Sequence, residues 1–338
     1  MKLGVLTVGS DAPGLNAVIR AVVRTGVAYR SDVFGISDGF AGLLRPPQLW
    51  PLSLADVNGL VRRGGTILGC NRESPFDQPE GDRSDEVLES IRWLDLDAVI
   101  CVGGAGTLAV ARRLADKGAP LLCIPKTVEN DLHGTEVTFG TATAVDLATA
   151  AIDTLQTTGE TGHRTMILEV TGRAAGWIAM AAGIAGGADV ILIPEIPYEP
   201  ARVRAVIAER KALGKRSTIV VIAEGARPVG APSPTARPEG AAGRELGEQL
   251  GEDEQRISVL GPLQRGGDPG AHDRILASRL GVAAVRAAQD GARGCMVGIR
   301  GERTVCTPLE QVTGRLRTID PEGEWVATAR ALGLSLGA

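Results

Sequence analysis

The sequence predicts an α/β protein built from two doubly wound domains with mainly parallel sheets. Short apolar segments alternate along the chain with longer segments of helical periodicity. This alternation is typical of βαβ units, because a strand covered by helices on both faces is apolar throughout. The chain also has 338 residues, and a single hydrophobic core seldom grows beyond ~250–300 residues. We therefore expect two cores.

The predicted elements follow one another in alternating order. Strands are predicted at residues 3–8, 33–36, 98–102, 121–124, 165–170, 190–193, 217–222 and 257–260. Helices are predicted at residues 14–28, 107–117, 141–158, 176–185, 200–213, 244–250 and 273–289. The stretch 224–243, rich in Pro, Gly and Ala, is predicted to be a loop. Since ligands bind outside the carboxyl ends of strands in open parallel sheets, function is expected in the turns that follow the strands.

The composition gives no indication of a nucleic-acid or membrane partner. The formal net charge is −4 and aromatic residues make up 3% of the chain, so neither a basic surface nor a stacking platform is expected. The first residues lack the apolar core of a signal peptide, and no apolar run reaches the ~18 residues of a membrane span. We expect a cytoplasmic protein.

The cysteines and histidines do not follow a metal-binding pattern. The five cysteines are scattered without a CxxC pair, and Cys101 and Cys123 lie in predicted strands. None of the three histidines is paired with a cysteine at the spacing of a metal site. Core thiols in a reducing compartment are the expected role for these cysteines.

Two glycine-containing turns have the composition of a phosphate-binding loop. The first, "LTVGSDAPGLNAVIRAVV", passes from a predicted strand through Gly9 into a helix, and the second, "CVGGAGTLAV", does so through Gly104 and Gly106. Glycine lets backbone N–H groups approach an anion, and the following helix N-terminus adds positive partial charge. Neither turn has a P-loop or GxGxxG spacing. Taken alone, each is equally consistent with a plain structural turn.

The third turn, "IPKTVENDLHGT", is rich in groups that carry chemistry. Lys126, Thr127, Glu129 and Asp131 follow directly after an apolar strand. Two neighbouring carboxylates can divide the work, one as a general base and the other as a metal-binding or orienting group. A charged surface turn is the structural alternative.

Three further turns add polar groups at strand ends. Thr171, Gly172 and Arg173 follow one predicted strand, and Glu224 follows another. Arg256 and Arg265 lie on either side of the last predicted strand. Arginine binds phosphate oxygens through a planar fork, although in this Arg-rich chain either arginine alone is more typical of a surface residue.

These turns together resemble the bacterial-type 6-phosphofructokinases over nearly the whole chain. The motifs that carry the resemblance are "GVLTVGSDAPGLNAVIR", "RRGGTILGCNR", "GGAGTL", "PKTVENDLHGTE", "GETGHRTMILEVTGRAAGWIA", "IAGGADVILIPE", "IAEGA" and "VLGPLQRGGDPGAHDRILASRLG". The resemblance implies phosphoryl transfer from a nucleotide triphosphate, or from pyrophosphate in some members, to the 1-hydroxyl of fructose 6-phosphate. It also implies Rossmann-like domains of phosphofructokinase type.

The resemblance assigns a role to each matching residue. The donor is expected to be held by Gly9, Arg72, Gly104, Ala105, Gly106, Thr107 and Lys126. The catalytic residues are expected to be Thr127, Glu129, Asp131 and Arg173, with Glu129 as the candidate base. The acceptor is expected to be bound by Thr127, Glu129, Arg164, Thr171, Gly172, Arg173, Glu224, Arg256 and Arg265. Arg164, Arg256 and Arg265 match the arginines that bind the 6-phosphate in the family.

The chain departs from the family at several of these positions. Ala105 replaces an aspartate that helps to hold Mg²⁺, so the metal is expected but its site is weakened. Glu129 replaces the usual aspartate base, and Pro262 replaces a histidine that binds the sugar phosphate. Gly106 occupies the position at which pyrophosphate-dependent members usually have aspartate, whereas Lys126 matches them. Because Gly106 leaves room for an α-phosphate, ATP is favoured as the donor.

The resemblance also implies the division into domains and the partners. A donor-binding domain is expected at 1–140, completed by 262–303, and a sugar-phosphate-binding domain at 141–261, completed by 304–338. Arg164 and Arg256 are expected to reach a neighbouring subunit, so a homodimer or homotetramer with shared active sites follows. Two alternatives stay open. One is a catalytically impaired paralogue that binds sugar phosphate or nucleotide as a sensor or partner subunit, and the other is a kinase with a different acceptor.

Overall fold

The computed structural model describes residues 1–232, 237–251 and 254–338. Its strands are β1 (Lys2–Thr7), β2 (Asp32–Ile36), β3 (Leu49–Pro51), β4 (Ala98–Gly103), β5 (Leu121–Pro125), β6 (Thr165–Val170), β7 (Val190–Leu192), β8 (Thr218–Ala223), β9 (Gln255–Val259), β10 (Cys295–Arg300) and β11 (Arg303–Pro308). Its α-helices are α1 (Leu15–Ala28), α2 (Ser84–Trp93), α3 (Ala105–Asp116), α4 (Thr141–Gly162), α5 (Trp177–Ala185), α6 (Pro200–Ala212), α7 (Ala241–Leu250), α8 (Ala271–Gln289), α9 (Leu309–Val312) and α10 (Glu324–Ala331). Short 3₁₀ turns lie at Gly39–Leu43, Leu60–Arg62 and Gly261–Gln264.

The chain divides into two compact units. The first unit comprises Met1–Val128, Leu132–Ala142 and Arg265–Arg315, and the second comprises Glu129–Asp131, Thr143–Gln264 and Leu316–Ala338. Each unit has its own sheet, as expected for a chain too long for one core. The alternating βαβ pattern therefore predicts the fold class correctly, since both sheets are mainly parallel.

The first unit is built on a sheet of strand order β11-β10-β5-β4-β1-β2-β3 among the described residues. The pairs β10–β11 and β2–β3 are antiparallel at the two edges, and the interior pairs are parallel. Leu3, Val5 and Ile100 join α1 and α8 in one core, whereas Leu6 and Cys101 join α2 and α3 in the other. Helices on both faces explain why the interior strands are apolar along most of their length.

The second unit is built on a smaller sheet of strand order β7-β8-β6-β9 within the described residues. All its strand pairs are parallel, and β6 is paired along its length with β8. Ile167, Val220 and Ile222 pack with α6 and α7 in a buried cluster. The carboxyl ends of β6 and β8 therefore lie side by side, which brings the residues after them together.

The structure differs from the predicted boundaries in several places. Residues 304–315 belong to the first unit, not to the second, because β11 pairs with β10 along its whole length. Residues 129–131 and 262–264 belong to the second unit, although the prediction assigned them to the first domain. Helix α3 begins at Ala105 rather than at residue 107, since the extended Gly104 precedes it as N-cap.

The cysteines occupy three kinds of environment. Cys101 and Cys123 are buried and lie at paired positions of β4 and β5, which confirms the predicted core role. Cys295 is also buried, whereas Cys70 is half-buried and Cys306 on β11 is exposed. A hydrogen bond from the Cys295 thiol lowers the pKa of Cys306 to about 7. Of the five thiols, Cys306 therefore combines exposure with partial ionisation near neutral pH.

None of the helices in the described part of the chain has the length and apolar character needed to cross a lipid bilayer.

Candidate active site

The first turn of the first unit brings a glycine backbone against a buried lysine. Gly9 has φ of +90°, a left-handed conformation that glycine adopts without strain. Its N–H donates to the carbonyl of Asn71 at 2.9 Å. A Cβ at position 9 would lie 3.5 Å from Nζ of Lys126. The neighbouring Arg72 is exposed. This turn thus places the buried Lys126 and the exposed Arg72 near a glycine backbone.

Helix α3 begins at the second turn and has an exposed N-terminus. Ala105 and Gly106 are its first two residues and are exposed, whereas Thr107 is 4% exposed. A Cβ at Gly103 would lie 2.2 Å from Oγ1 of Thr107, so glycine is required there for the helix to start against the strand. No atom lies within 4 Å of a Cβ built at Gly106. The helix N-terminus is therefore open to an anion.

Lys126 is the buried cation of the first unit. It is 3% exposed and its ammonium donates to the carbonyl of Ser10. Burial lowers the pKa of Lys126 to about 8, and the nearby positive charges of Arg265 and Arg72 act in the same direction. Cys70 and Asp11 act in the opposite direction. A lysine buried near other positive charges, as Lys126 is, is typical of a site that binds a polyanion.

Arg265 also lies in the first unit. Its Nη1 donates to the hydroxyl of Ser10 at 2.6 Å. The structure therefore places Arg265 at the first glycine turn, beside Lys126. Its assignment to the 6-phosphate of the acceptor stays a prediction.

In the second unit, a polar cluster forms where β6 and β8 end. Oε1 of Glu224 accepts the Thr171 hydroxyl at 2.8 Å and lies 3.4 Å from Nε of Arg173. The N–H of Gly172 also points to this oxygen at 3.4 Å. The side chain of Glu224 is 15% exposed and that of Arg173 is 64% exposed. Glu224 thus orients Arg173 while leaving the guanidinium open to solvent.

Two glycines allow this close approach. Gly172 has φ of +148°, and a Cβ there would lie 2.7 Å from the carbonyl oxygen of Ala175. A Cβ at Gly225 would lie 2.0 Å from the carbonyl oxygen of Arg173. The N–H of Gly225 donates to the carbonyl of Gly172 at 3.0 Å. Any larger side chain at position 225 would push the two strand ends apart.

Glu129 joins the same cluster. Its Oε2 accepts the backbone N–H of Arg173 at 3.1 Å, and the side chain is half-buried. Asp131 follows it in the second unit, and its carbonyl accepts the backbone N–H of Arg317 at 2.8 Å. The structure therefore brings together Glu129, Arg173 and Glu224. A partly exposed carboxylate held by a backbone donor is suited to accept a proton from a bound hydroxyl.

Thr127 is held through its backbone in the first unit. Its carbonyl accepts the hydroxyls of Thr138 at 2.8 Å and Thr141 at 3.2 Å. The residue is half-buried. These bonds fix the backbone of the turn one residue before the chain enters the second unit after Val128.

Arg164 and Arg256 are not brought to the Arg173 cluster. Arg164 directly precedes β6, whereas Arg173 follows it, and Arg256 is paired with Met166 near the start of the same strand. Six residues of β6 span roughly 20 Å. Arg164 instead lines a cavity of about 520 Å³ together with Lys211, Lys215 and Arg216. Within one protomer, these two arginines lie at the opposite end of the sheet.

The described residues provide no preformed metal cage. They contain no group of three or more His, Cys, Asp or Glu side chains that could hold a metal ion. The methyl group of Ala105 cannot act as a ligand, and Mg²⁺ in proteins prefers carboxylate, phosphate and water oxygens. The residues at this turn therefore do not fit a protein-held magnesium ion.

Gln264 is a further residue of the second unit that lies beside Thr171. This side chain is 1% exposed, and its Oε1 accepts the N–H of Thr171 at 3.3 Å. The exposed Pro262 lies in the same 3₁₀ turn. No sequence pattern marked Gln264 as a site residue, because the motif that contains it was interpreted through the neighbouring Arg265.

Comparison with known proteins decides the family. A family model described as Phosphofructokinase matches residues 2–288. The chain belongs to the phosphofructokinase family. It is accordingly an enzyme of 6-phosphofructokinase type, a phosphotransferase with an alcohol acceptor, and the resemblance found in the sequence is confirmed.

Curated relatives of this phosphofructokinase carry two different names. The chain is 46% identical over 99% of its length to the "ATP-dependent 6-phosphofructokinase" of Chloroflexus aurantiacus, of which it covers 98%. It is 44% identical over 95% of its length to the "Pyrophosphate--fructose 6-phosphate 1-phosphotransferase" of Amycolatopsis methanolica, of which it covers 97%. Overall sequence identity therefore does not decide between ATP and pyrophosphate as the donor.

A solved structure of the family has the same fold. Phosphofructokinase from Saccharomyces cerevisiae superimposes with a TM-score of 0.80 at 31% identity over 92% of this chain. This chain spans 45% of the yeast chain, less than half of its length.

Proposed function

We propose that this phosphofructokinase transfers the γ-phosphoryl group of ATP to the 1-hydroxyl of fructose 6-phosphate. The observation that carries the proposal is the cluster of Glu129, Arg173 and Glu224, with the carboxylate of Glu129 on the backbone N–H of Arg173 at 3.1 Å. Phosphoryl transfer to an alcohol needs a base, a cation and an acidic residue that orients them. The names of the curated relatives support the same reaction.

The chemistry assigned to the second unit is proton transfer and charge stabilisation. The carboxylate of Glu129 accepts the proton of the 1-hydroxyl, and the oxygen of that hydroxyl forms a bond to the γ-phosphorus of ATP. The bond between the γ-phosphorus and the β,γ-bridging oxygen breaks, which releases ADP. The exposed guanidinium of Arg173 is suited to stabilise the equatorial oxygens of the transferring group. Thr171, Gly172 and Glu224 orient Arg173 and the sugar.

The chemistry assigned to the first unit is donor binding. The exposed N-terminus of α3 and the Gly9 turn offer backbone N–H groups to phosphates, and Lys126 and Arg72 supply positive charge. Open space around Gly106 favours ATP over pyrophosphate, because a nucleotide needs room beyond its β-phosphate. Comparing kcat/KM for the two donors tests this choice, and a higher value for pyrophosphate would reverse it.

The proposed role for Mg²⁺ is limited to the nucleotide. The ion is expected to arrive bound to the phosphates and water of the donor, since Mg²⁺ usually retains several such ligands. The residues of the chain then contribute positioning and positive charge rather than a metal site.

The proposed base is tested with Glu129→Gln. This variant retains the shape of the side chain but cannot accept the proton, so kcat should fall by ~10²–10⁴-fold. Glu209→Gln on the exposed face of α6 is the matched control and should leave kcat unchanged. Steady-state assays with Mg-ATP and fructose 6-phosphate measure both. Full activity of Glu129→Gln would refute the assignment.

Ala105 favours a second candidate, in which the chain binds sugar phosphate or nucleotide without efficient turnover. The variant Ala105→Asp separates the two. If the missing carboxylate limits the wild type, this variant should raise kcat by ~10-fold or more and lower the Mg²⁺ concentration for half-maximal rate. An active wild-type enzyme that gains nothing from the aspartate would exclude the impaired form.

The exposed Pro262 favours a third candidate, a kinase for a different phosphorylated acceptor, because it replaces the histidine that binds the sugar phosphate in the family. A set of phosphorylated ketoses assayed at equal concentration tests it. Turnover with another acceptor but not with fructose 6-phosphate would replace the default substrate.

The acceptor arginines support a shared active site. Since Arg164 and Arg256 lie at the opposite end of β6 from Arg173, one protomer does not complete the phosphate clamp. A homodimer or homotetramer, in which these arginines serve a neighbouring subunit, is the assembly that we propose. The cytoplasmic location stays a prediction from the sequence.

A further inference from the structure

The segment that carries Glu129 is bound by the C-terminal part of the second unit. Residues Glu129–Asp131 and Leu316–Ala338 belong to this unit although they are far apart in the chain. Arg317 makes two hydrogen bonds to the segment. Its backbone N–H donates to the carbonyl of Asp131 at 2.8 Å, and its Nη1 donates to the carbonyl of Asn130 at 3.2 Å. The carbonyls of the two residues after Glu129 are thus held by one residue.

The conformation of the segment explains why it needs such bonds. Asn130 has φ of +53° and is 8% exposed. Asparagine tolerates the left-handed region better than most residues, and it keeps this one conformation where its surroundings hold the backbone. The carbonyls of Asn130 and Asp131 both accept hydrogen bonds from Arg317, which satisfies two backbone polar groups of the turn.

Arg317 is itself fixed by an aromatic side chain. Its guanidinium carbon lies 3.9 Å from the ring centroid of Trp177, and the indole N–H of Trp177 donates to the Arg317 carbonyl at 3.0 Å. Trp177 is the first residue of α5 and is 8% exposed. Trp325 of α10 packs edge-on against it with ring centroids 6.1 Å apart. An arginine stacked in this way has lost most of its freedom before it binds the turn.

The half-buried carboxylate of Glu195 holds the chain two residues after Arg317. Oε1 of Glu195 accepts the N–H of Ile319 at 2.8 Å and the N–H of Gly176 at 3.0 Å, just before α5. Burial raises the pKa of Glu195, and these backbone N–H donors oppose that rise. The path from α5 to the Glu129 turn is therefore a short series of direct contacts.

We propose that Arg317 is a positioning residue for catalysis, which holds the 129–131 turn so that the carboxylate of Glu129 meets the acceptor hydroxyl. This inference rests on the proposed role of Glu129 as base. The chain separates Arg317 from Asn130 by 187 positions. The guanidinium acts on the turn through the Asn130 carbonyl, and we assign it no contact with the substrate.

The expected kinetic effect follows from the geometry. Arg317→Ala removes the guanidinium bond and the stacking on Trp177 but retains the backbone bond to Asp131. Because a displacement of about 1 Å costs on the order of 10²-fold in rate, kcat should fall by roughly 10–100-fold. KM for ATP should change less than about twofold, since the donor-binding residues lie in the first unit. Arg317→Lys, which retains one donor, should recover part of the loss.

A matched control and an activity-independent readout accompany these variants. Arg330→Ala removes an exposed arginine of α10 and should leave kcat and KM unchanged. Hydrogen exchange of the amides at 129–131 should be faster in Arg317→Ala than in the wild type and unchanged in Arg330→Ala, because exchange reports local opening. Unchanged exchange and unchanged kcat in Arg317→Ala would each overturn the proposal.

A double-mutant cycle separates this proposal from the proposed function. If Arg317 acts through Glu129, Arg317→Ala should add little to the loss already caused by Glu129→Gln. Fully additive losses would show that Arg317 acts elsewhere and would refute its positioning role while leaving Glu129 as base. Full activity of Glu129→Gln together with a loss in Arg317→Ala would refute the base and, with it, positioning through the base.

Discussion

At the scale of single residues, Lys126 connects burial to donor binding. Its pKa of about 8 means that the free enzyme loses this positive charge just above neutral pH. We predict that kcat/KM for ATP falls as the pH rises through about 8, since kcat/KM reports groups of the free enzyme. Lys126→Gln should have a lower kcat/KM and no such alkaline decline.

A stability measurement tests whether unfolding causes that decline. The lysine titrates near 10.5 in the unfolded chain and at about 8 in the native protein. Between these values the unfolded state binds more protons, so this group makes the protein more stable as the pH rises. A loss of activity with a constant or rising melting temperature would therefore reflect lost charge. A kcat/KM that stays flat across pH 7–9 would contradict the assignment.

The residues at the turns differ in how far sequence alone could place them. Thr171, Arg173 and Glu224 were correctly expected at strand ends, because parallel strands direct their carboxyl ends to the same edge. Arg317 could not be predicted, since its contacts cross 187 positions of the chain and no local pattern marks it. The conformation of Asn130 was equally hidden, because φ depends on the contacts that hold it.

At the scale of elements, a buried carboxylate fixes the start of α7. Glu169 on β6 is 2% exposed, and its two oxygens accept the N–H groups of Gly240 at 2.8 Å and Gly243 at 2.7 Å. Burial raises the pKa of Glu169, and these N–H donors oppose the rise. A carboxylate from the neighbouring strand thus takes the place of a side-chain cap, which α7 lacks.

We predict that Glu169→Gln destabilises the protein by about 1.5–3 kcal/mol, the usual contribution of hydrogen bonds to a charged group. The amide oxygen can accept one of the two N–H groups, but the NH₂ group that replaces the second oxygen cannot accept the other. Denaturant unfolding measures the change, with Glu248→Gln on the exposed face of α7 as the matched control. Equal stability of Glu169→Gln and the wild type would show that the carboxylate is dispensable.

The mostly apolar strands were predictable, including the edge strands β7 and β9, whereas β3, β10 and β11 were not. Segments such as β4, β6 and β8 are buried throughout and mostly apolar, and their predicted bounds differ from the observed ones by at most a residue. Strands β10 and β11 were missed because Gly298 and Gly301 interrupt the pattern and β11 is mostly exposed. An edge strand is stabilised by one neighbour, so it carries a weak sequence signal. Because β11 was missed, residues 304–315 were assigned to the second domain instead of the first.

At the scale of the whole molecule, shared active sites make a prediction about mixed oligomers. Arg164→Ala and Glu129→Gln should each be nearly inactive alone. If Arg164 serves the neighbouring subunit, a randomised equal mixture contains sites in which both positions are wild type. In a symmetric dimer this restores about a quarter of the wild-type activity. Subunits mixed by co-expression and assayed at equal concentration test this.

The control for this experiment uses two positions of the same cluster. Arg173 and Glu129 lie together within the second unit, so mixing Arg173→Ala with Glu129→Gln should restore nothing. Recovery in the first mixture alone would support subunit sharing. Failure of both mixtures, with oligomers present, would show that each protomer completes its own site.

The exposed Cys306 offers a point of attachment for spectroscopic labels. Its sulfur ionises near neutral pH, whereas Cys101, Cys123 and Cys295 are buried, so a maleimide dye at pH 7 should attach there first. The label would lie on an edge strand of the first unit, outside the glycine turns and the Glu129 cluster. A second dye on an introduced cysteine in α6 would then report, by energy transfer, whether the distance between the two units changes during turnover.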